Sequence, residues 1–403
     1  MKVLEYLLYF TIFTGFFPTP GYLYVQLFLS VVQFLLVIYL MAKKKVSIKE
    51  VTNKYSLFLF ALLIFSVISL LWIKDFSGWL IYSAVLFTGM VNSFVLWLLI
   101  SNKKIKNHLM KIILLAILLQ NIAGWFEVTT GIYPFAFNIE TNHIAYNQLL
   151  RRPITFFKNV NDYATYLLFG YIFLLSYKPK KNIFSKIPYQ LKQILKSLLA
   201  LSTLGLIFMV GSRGILLVSI LSTVLLLLLK INNRMLSKLA VVLGIGLMVT
   251  IIIGLLINYG FINIDALDAG DSARVYLIMN GLKYLTNTVF IGVGPGNVSY
   301  YLENYRYFPV GHLRTIHSWW IEFLVMYGLV FFVFYISMYA RNILKSYKQF
   351  KLTKNNLFIF TTTWSIAFTI ASVVSSSLHT TLWVIFMHNA MFITVDKNFH
   401  LKS

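Results

Sequence analysis

Arginine and histidine embedded in apolar sequence are the residues of this chain best suited to chemistry. Gly211-Ser212-Arg213-Gly214 joins two apolar runs with almost no loop between them, so Arg213 must sit at the mouth of whatever those runs build. A guanidinium offers a planar fork of donors that matches phosphate oxygens, and such a contact strengthens near a low-dielectric boundary. A snorkelling interfacial arginine is the plain alternative. A second cluster runs from Gly311 through His312, Arg314, His317, Ser318, Trp319 and Trp320 to Glu322. His317 opens an apolar run there, and histidine is the side chain best matched to taking a proton near neutral pH. Glu322 lies five residues deeper, where an unpaired carboxylate is costly, so it calls for a partner on another helix. Five helical positions put the two side chains about 140° apart, too far round the axis to pair directly. An ordinary membrane-belt histidine beside two tryptophans competes with the catalytic reading. Gly292, Gly294 and Gly296 form a tight turn that can cup an anion or simply bend the backbone. Asp265, Asp268 and Asp271 could touch one cation, but three acids in a polar loop are ordinarily solvated, and no metal or cofactor is expected.

The elements that must position these groups are membrane helices. The 403 residues are 59% hydrophobic and only 12% charged, about half the usual charged fraction, which makes a bilayer the reasonable solvent. Continuous apolar runs rather than period-two alternation exclude an outer-membrane barrel. The net charge of +23 sits in short clusters between the runs, a topology signal that excludes a nucleic-acid partner. The absence of Cys excludes disulfides and thiolate chemistry. The first run leads into Phe17-Pro18-Thr19-Pro20 without a small-residue cleavage site and reads as a retained span.

Twelve spans are expected: 3–19, 22–42, 55–73, 79–100, 109–127, 161–177, 193–210, 213–230, 237–258, 315–340, 357–376 and 379–395. With both termini cytoplasmic, 26 of the 35 Lys and Arg residues fall inside, and six of the nine outside are Arg. The sequence thus predicts an all-α, polytopic bundle forming one integral membrane domain over 1–403, with a large extracytoplasmic loop at 259–314 and a second outer segment near 128–160. Within the large loop, Asp271-Ser272 is expected to cap a helix whose stripe of Ile278, Leu282, Leu285 and Val289 lies along the membrane surface.

Four features in order resemble the O-antigen ligase and polysaccharide repeat-unit polymerase superfamily of bacterial plasma (inner) membranes, at motif level over roughly residues 150 to 340. Ser212-Arg213-Gly214 looks like the family's Ser-Arg element. Asp271-Ser272-Ala273-Arg274, followed by Phe290 to Gly296, looks like its loop arginine and Gly-rich turn. Asn159-Val160-Asn161-Asp162 resembles the start of a middle span, and His317-Ser318, nine residues, then Gly328 matches its histidine motif. The resemblance implies a glycosyltransferase whose donor is an undecaprenyl-diphosphate-linked oligosaccharide and whose acceptor is a glycan, with inversion, no nucleotide sugar and no metal. Arg213 and Arg274 would hold the diphosphate and His317 would be the base. Glu322, Ser318, Gly292, Gly294 and Gly296 would support them, with Arg151, Arg152, Asn161, His312 and Arg314 as secondary candidates. A flippase and a chain-length regulator are further candidate partners. Polymerisation of capsule or exopolysaccharide units is the expected activity. Ligation of a finished glycan to a lipid or protein is the alternative, and a lipid or solute transporter lined by Gln120, Asn121 and Glu322 is the alternative of another class.

Overall fold

A computed structural model of the chain describes residues 1–18, 21–135, 149–157, 159–178, 188–230, 269–311, 313–373, 379 and 381–400. Every regular element among them is helical. They are α1 (Lys2–Gly15), α2 (Tyr22–Ala42), α3 (Ile48–Val51), α4 (Lys54–Ser69), α5 (Phe76–Leu99), α6 (Lys103–Thr130) and α7 (Val160–Ser176), then α8 (Tyr189–Val210), α9 (Arg213–Lys230), α10 (Ala269–Asn287), α11 (Val298–Asn304), α12 (Trp319–Thr353), α13 (Asn356–Ala371) and α14 (Leu382–His400). The protein is a multi-pass membrane protein.

Among the described residues six helices, α2, α5, α6, α8, α9 and α12, are long and apolar enough to cross a bilayer. These six do not confirm the expected count of twelve spans. α4, α13 and the Leu382–Asp396 part of α14 are apolar but shorter. α1 stops at Gly15, giving about 21 Å of helix. The expected span 237–258, Asp265 and Asp268 lie outside the described residues.

α7 is the centre of the bundle. Its residues from Asp162 to Leu174 are all buried, and it packs on α8, α9 and α13. A helix apolar on all sides belongs inside. By contrast, α2 turns Tyr24, Phe28 and Leu35 outward and α8 turns Leu198, Leu201 and Phe208 outward, as lipid-facing surfaces do. Two buried amides that enter the interior find acceptors there: Gln33 donates to Thr11 at 2.9 Å, and Gln120 donates to the Phe16 carbonyl at 2.9 Å.

The expected uninterrupted span at 315–340 is corrected in two ways. Its helix begins at Trp319, so His317 precedes it and the 140° helical relation to Glu322 does not apply. At Gly328 the backbone adopts φ 79 and ψ 175, which breaks α12 into two helices. Such a conformation is open essentially to glycine alone. The amides and carbonyls freed there find partners in the loop: Val293 N donates to Val325 O at 2.9 Å, Gly294 N to Met326 O at 3.1 Å, and Leu329 N to Phe290 O at 2.9 Å. The break and the Gly-rich turn form one tertiary unit.

The loop helix α10 also differs from expectation. It begins at Ala269, which leaves Asp271 and Ser272 in its first turn rather than ahead of it. Its inner face is Leu277, Asn280, Gly281, Tyr284 and Leu285, whereas Leu282 and Val289 are exposed. The amphipathic stripe misleads because the inward polar residue, Asn280, is fully satisfied. It accepts from Tyr307 N and Phe308 N and donates to the Tyr276 and Phe308 carbonyls. α10 packs on α12 and α11 instead of lying free on a membrane surface.

Candidate active site

The ends of α4, α6, α8 and α13 meet the beginnings of α5, α7, α9, α12 and α14 at one face of the bundle. Each candidate side chain on that face is placed by an identifiable local cause. His317 has φ 54, a left-handed value that costs a non-glycine residue on the order of 1–3 kcal/mol. Its neighbours hold it there. Ile316 is buried, its Cδ1 2.7 Å from where a Cβ on Gly281 would stand, and Trp319 N donates to Ser372 O at 2.9 Å. Ser318 is buried at the N-cap, where its carbonyl accepts the Glu322 amide while its side chain makes no cap hydrogen bond.

Arg274 lies seven residues before Gly281, two turns along the same face of α10, and that face docks on Ile316. Its guanidinium is exposed, yet within electrostatic reach of the His317 ring. Burial first, and the Arg274 charge second, lower the His317 pKa to about 4. The ring is therefore neutral at pH 7, the form that can accept a proton.

Glu322 is buried inside α12 and receives a long 3.4 Å hydrogen bond from Tyr82 of α5. Asp162, also buried, is near enough to act electrostatically on Glu322. His379 stacks on Trp319 with centroids 5.0 Å apart and planes 4° from parallel. Its Nε2 is 2.9 Å from the Trp319 carbonyl, which can only accept, so Nε2 carries the proton.

Arg213 is exposed at the first position of α9, beside a buried Ser212 whose hydroxyl has no partner among the described residues. Arg152 reaches the same turn: its Nε would be 3.0 Å from a Cβ built on Gly211. Glu127 explains how. This buried acid near the end of α6 accepts the amides of Ile154 and Thr155, both at 2.8 Å, and so fixes the chain just after Arg152. The neighbouring Arg151 closes the end of α6 instead, donating to the Val128 and Thr129 carbonyls at 3.1 and 2.7 Å.

Other expected residues serve elsewhere. The amides of Gly292, Val293 and Gly294 are not offered to an anion, since the first donates to Thr288 Oγ1 and the other two to α12. It is a clamp: Gly292, Gly294 and Gly296 all have positive φ, and a Cβ on Gly296 would stand 2.3 Å from the Gly78 backbone. Asn297 completes it by accepting the amides of Lys74 and Asp75. Asn161 is in the first turn of α7, where its carbonyl accepts from Thr165, and the capping side chain is Asn159. Arg314 forms an exposed 2.9 Å ion pair with Glu303, a contact of little energetic weight. His312 lies outside the described residues.

Sequence reasoning passed over Glu127, Tyr82 and His379. Glu127 carried the same signal as Glu322, an acid inside an apolar run. Nothing local marked the other two.

Residues 198–336 match the family described as O-antigen ligase, a stretch that holds Arg213, Arg274, the glycine clamp, His317 and Gly328. That stretch makes the chain similar to the O-antigen ligase superfamily. It is also 28% identical over 347 residues to the teichuronic acid biosynthesis protein TuaE of Bacillus subtilis (strain 168), an alignment covering 81% of this chain and 67% of that protein. Both similarities support a role in membrane polysaccharide biosynthesis.

Proposed function

We propose that this protein polymerises polysaccharide repeat units at the outer face of the plasma membrane. The donor is a glycan on undecaprenyl diphosphate, and the acceptor is a hydroxyl of another glycan. The acceptor oxygen attacks the anomeric carbon with inversion, the bond from that carbon to the diphosphate oxygen breaks, and the lipid diphosphate departs. His317 takes the hydroxyl proton, while Arg213 and Arg274 hold the diphosphate and stabilise its developing charge. The observation that carries this reading is His317 held at the head of α12, with Arg274 on the α10 face that docks on Ile316 and within electrostatic reach of the ring. That pairing supplies a proton acceptor and a phosphate-binding fork at one end of an apolar bundle. The basic residues concentrate at the other end, which supports placing the His317 face outside.

Transfer of a finished glycan to another acceptor is the second reading, favoured by the O-antigen ligase description of the matching family. Purified protein supplied with lipid-linked oligosaccharide separates the cases. A ladder of lengthening glycans supports polymerisation, while a single transfer to an added lipid or protein supports ligation. Movement of the intact donor across vesicles without bond cleavage would overturn both. Arg213→Lys and Arg274→Lys keep charge but lose the fork, so each is expected to slow donor consumption, and unchanged turnover in both would remove the clamp.

A further inference from the structure

At the end of the bundle opposite His317 lies a cavity of about 520 Å3, within the usual size range of small-molecule sites. It opens where α5, α7 and α14 end and α6, α8 and α13 begin. Its walls are apolar, with Ile113, Phe173 and Phe360 joined by Met110, Met387 and Met391. Methionine is the side chain that best adapts to a flexible apolar guest. The charged residues among its lining are Lys106, Lys178 and Lys354, and no Asp or Glu is among them.

Further positive charge gathers behind that mouth. Lys178, Lys196 and Lys230 lie within electrostatic reach of one another, and Lys196 donates to the carbonyl of Tyr177, a lining residue. α13 also begins here, with Asn355 capping it through the Leu357 amide, so a helix N-terminus adds its own positive end. Like charges crowded near apolar helix ends repel one another, and an anion relieves that cost. A soluble anion would leave the apolar walls unfilled. A guest with an acyl chain and a phosphate matches both halves at once.

We infer that this cavity binds a membrane phospholipid of negative charge, its chain between α6, α13 and α14 and its phosphate at Lys106, Lys178 and Lys354. The site is separate from the proposed glycan chemistry and stands whether or not that chemistry is as proposed. It ties the turn between α12 and α13 to α6 and α7, so an occupied site would brace the lysine-rich end of the bundle.

The test uses the purified full chain in neutral detergent with three probes: phosphatidylglycerol, phosphatidylcholine and glycerol 3-phosphate. Saturable binding of phosphatidylglycerol is expected, with neither other probe matching it. Replacing Lys106, Lys178 and Lys354 together by Gln should weaken that binding roughly fivefold per lysine, on the order of a hundredfold in all. Ala390→Trp, which fills the cavity and spares the lysines, should also block it. Where a variant fails to fold, the unmodified protein decides: phosphatidylglycerol with a photoreactive chain end should label Met110, Phe360, Met387 or Met391. Labelling only of the outward faces of α2 and α8, equal binding of phosphatidylcholine or glycerol 3-phosphate, or full binding by both variants would overturn the inference. So would an absence of cavity labelling caused by a segment of the chain occupying the space.

Discussion

Gly328→Ala tests whether the broken helix and the glycine clamp are one unit. A Cβ at Gly328 would stand 2.2 Å from the Ile291 carbonyl oxygen and 2.6 Å from that of Phe290. Real Cβ contacts do not fall below 3.0 Å, so the facing backbone must retreat by 0.8 Å (3.0 minus 2.2). That backbone carries the three hydrogen bonds from Val293, Gly294 and Leu329, each worth roughly 1 kcal/mol net. Alanine also meets a conformation costing on the order of 1–3 kcal/mol. Losing the clamp should therefore cost about 4–6 kcal/mol. Relaxing α12 into a continuous helix would recover part of that and leave the 290–296 turn undocked. Because α10 and the His317 segment are registered through this unit, transfer should fall about a hundredfold or more, the scale of a 1 Å misplacement of reacting groups. The assays are thermal unfolding in detergent, proteolysis of the 288–311 segment and single-turnover transfer. Gly311→Ala is the control, since its φ of 59 is also positive but a Cβ there would meet nothing within 4 Å. A Gly328→Ala protein that melts, resists protease and transfers sugar like its parent would refute the reasoning.

Arg274→Gln should move the acid limb of single-turnover transfer to higher pH. Removing a nearby cation makes the His317 imidazolium easier to form, so its pKa rises from about 4, by less than burial has lowered it. A limb that stays put or shifts downward would break the electrostatic link. His317→Ala should keep donor binding and slow the chemical step by about 10²–10⁴-fold, whereas Glu322→Gln, still able to accept from Tyr82, should retain more activity. Equal losses in the two variants would deny them separate roles. Glu127→Ala strands the Ile154 and Thr155 amides and should cost about 2–6 kcal/mol of stability, while Glu127→Gln keeps an oxygen for them and should melt closer to the parent. Reporters fused after Lys45, Lys104 and Lys348 should register the cytoplasm and reporters within 271–305 the outside, and a cytoplasmic 271–305 would invert the assigned faces.

The sequence by itself determined that the chain is a bundle of membrane helices, because hydropathy and length act locally and need no knowledge of neighbours. It likewise marked Arg213, Arg274 and His317, since such groups are rare in apolar surroundings and their spacing resembles a known family. Only the tertiary structure decided what each neighbour does. Arg151 and Arg152 are adjacent, yet one closes α6 and the other reaches the Arg213 turn. The glycines of 292–296 looked able to cradle an anion, but the Val293 and Gly294 amides pair with the broken helix and that of Gly292 with Thr288. An acid at 322 required a partner, and packing chose Tyr82 from 240 positions earlier. The left-handed backbone of His317 and the break at Gly328 are unfavourable in isolation. They persist because contacts from distant segments hold them, and no local pattern in the chain records those contacts.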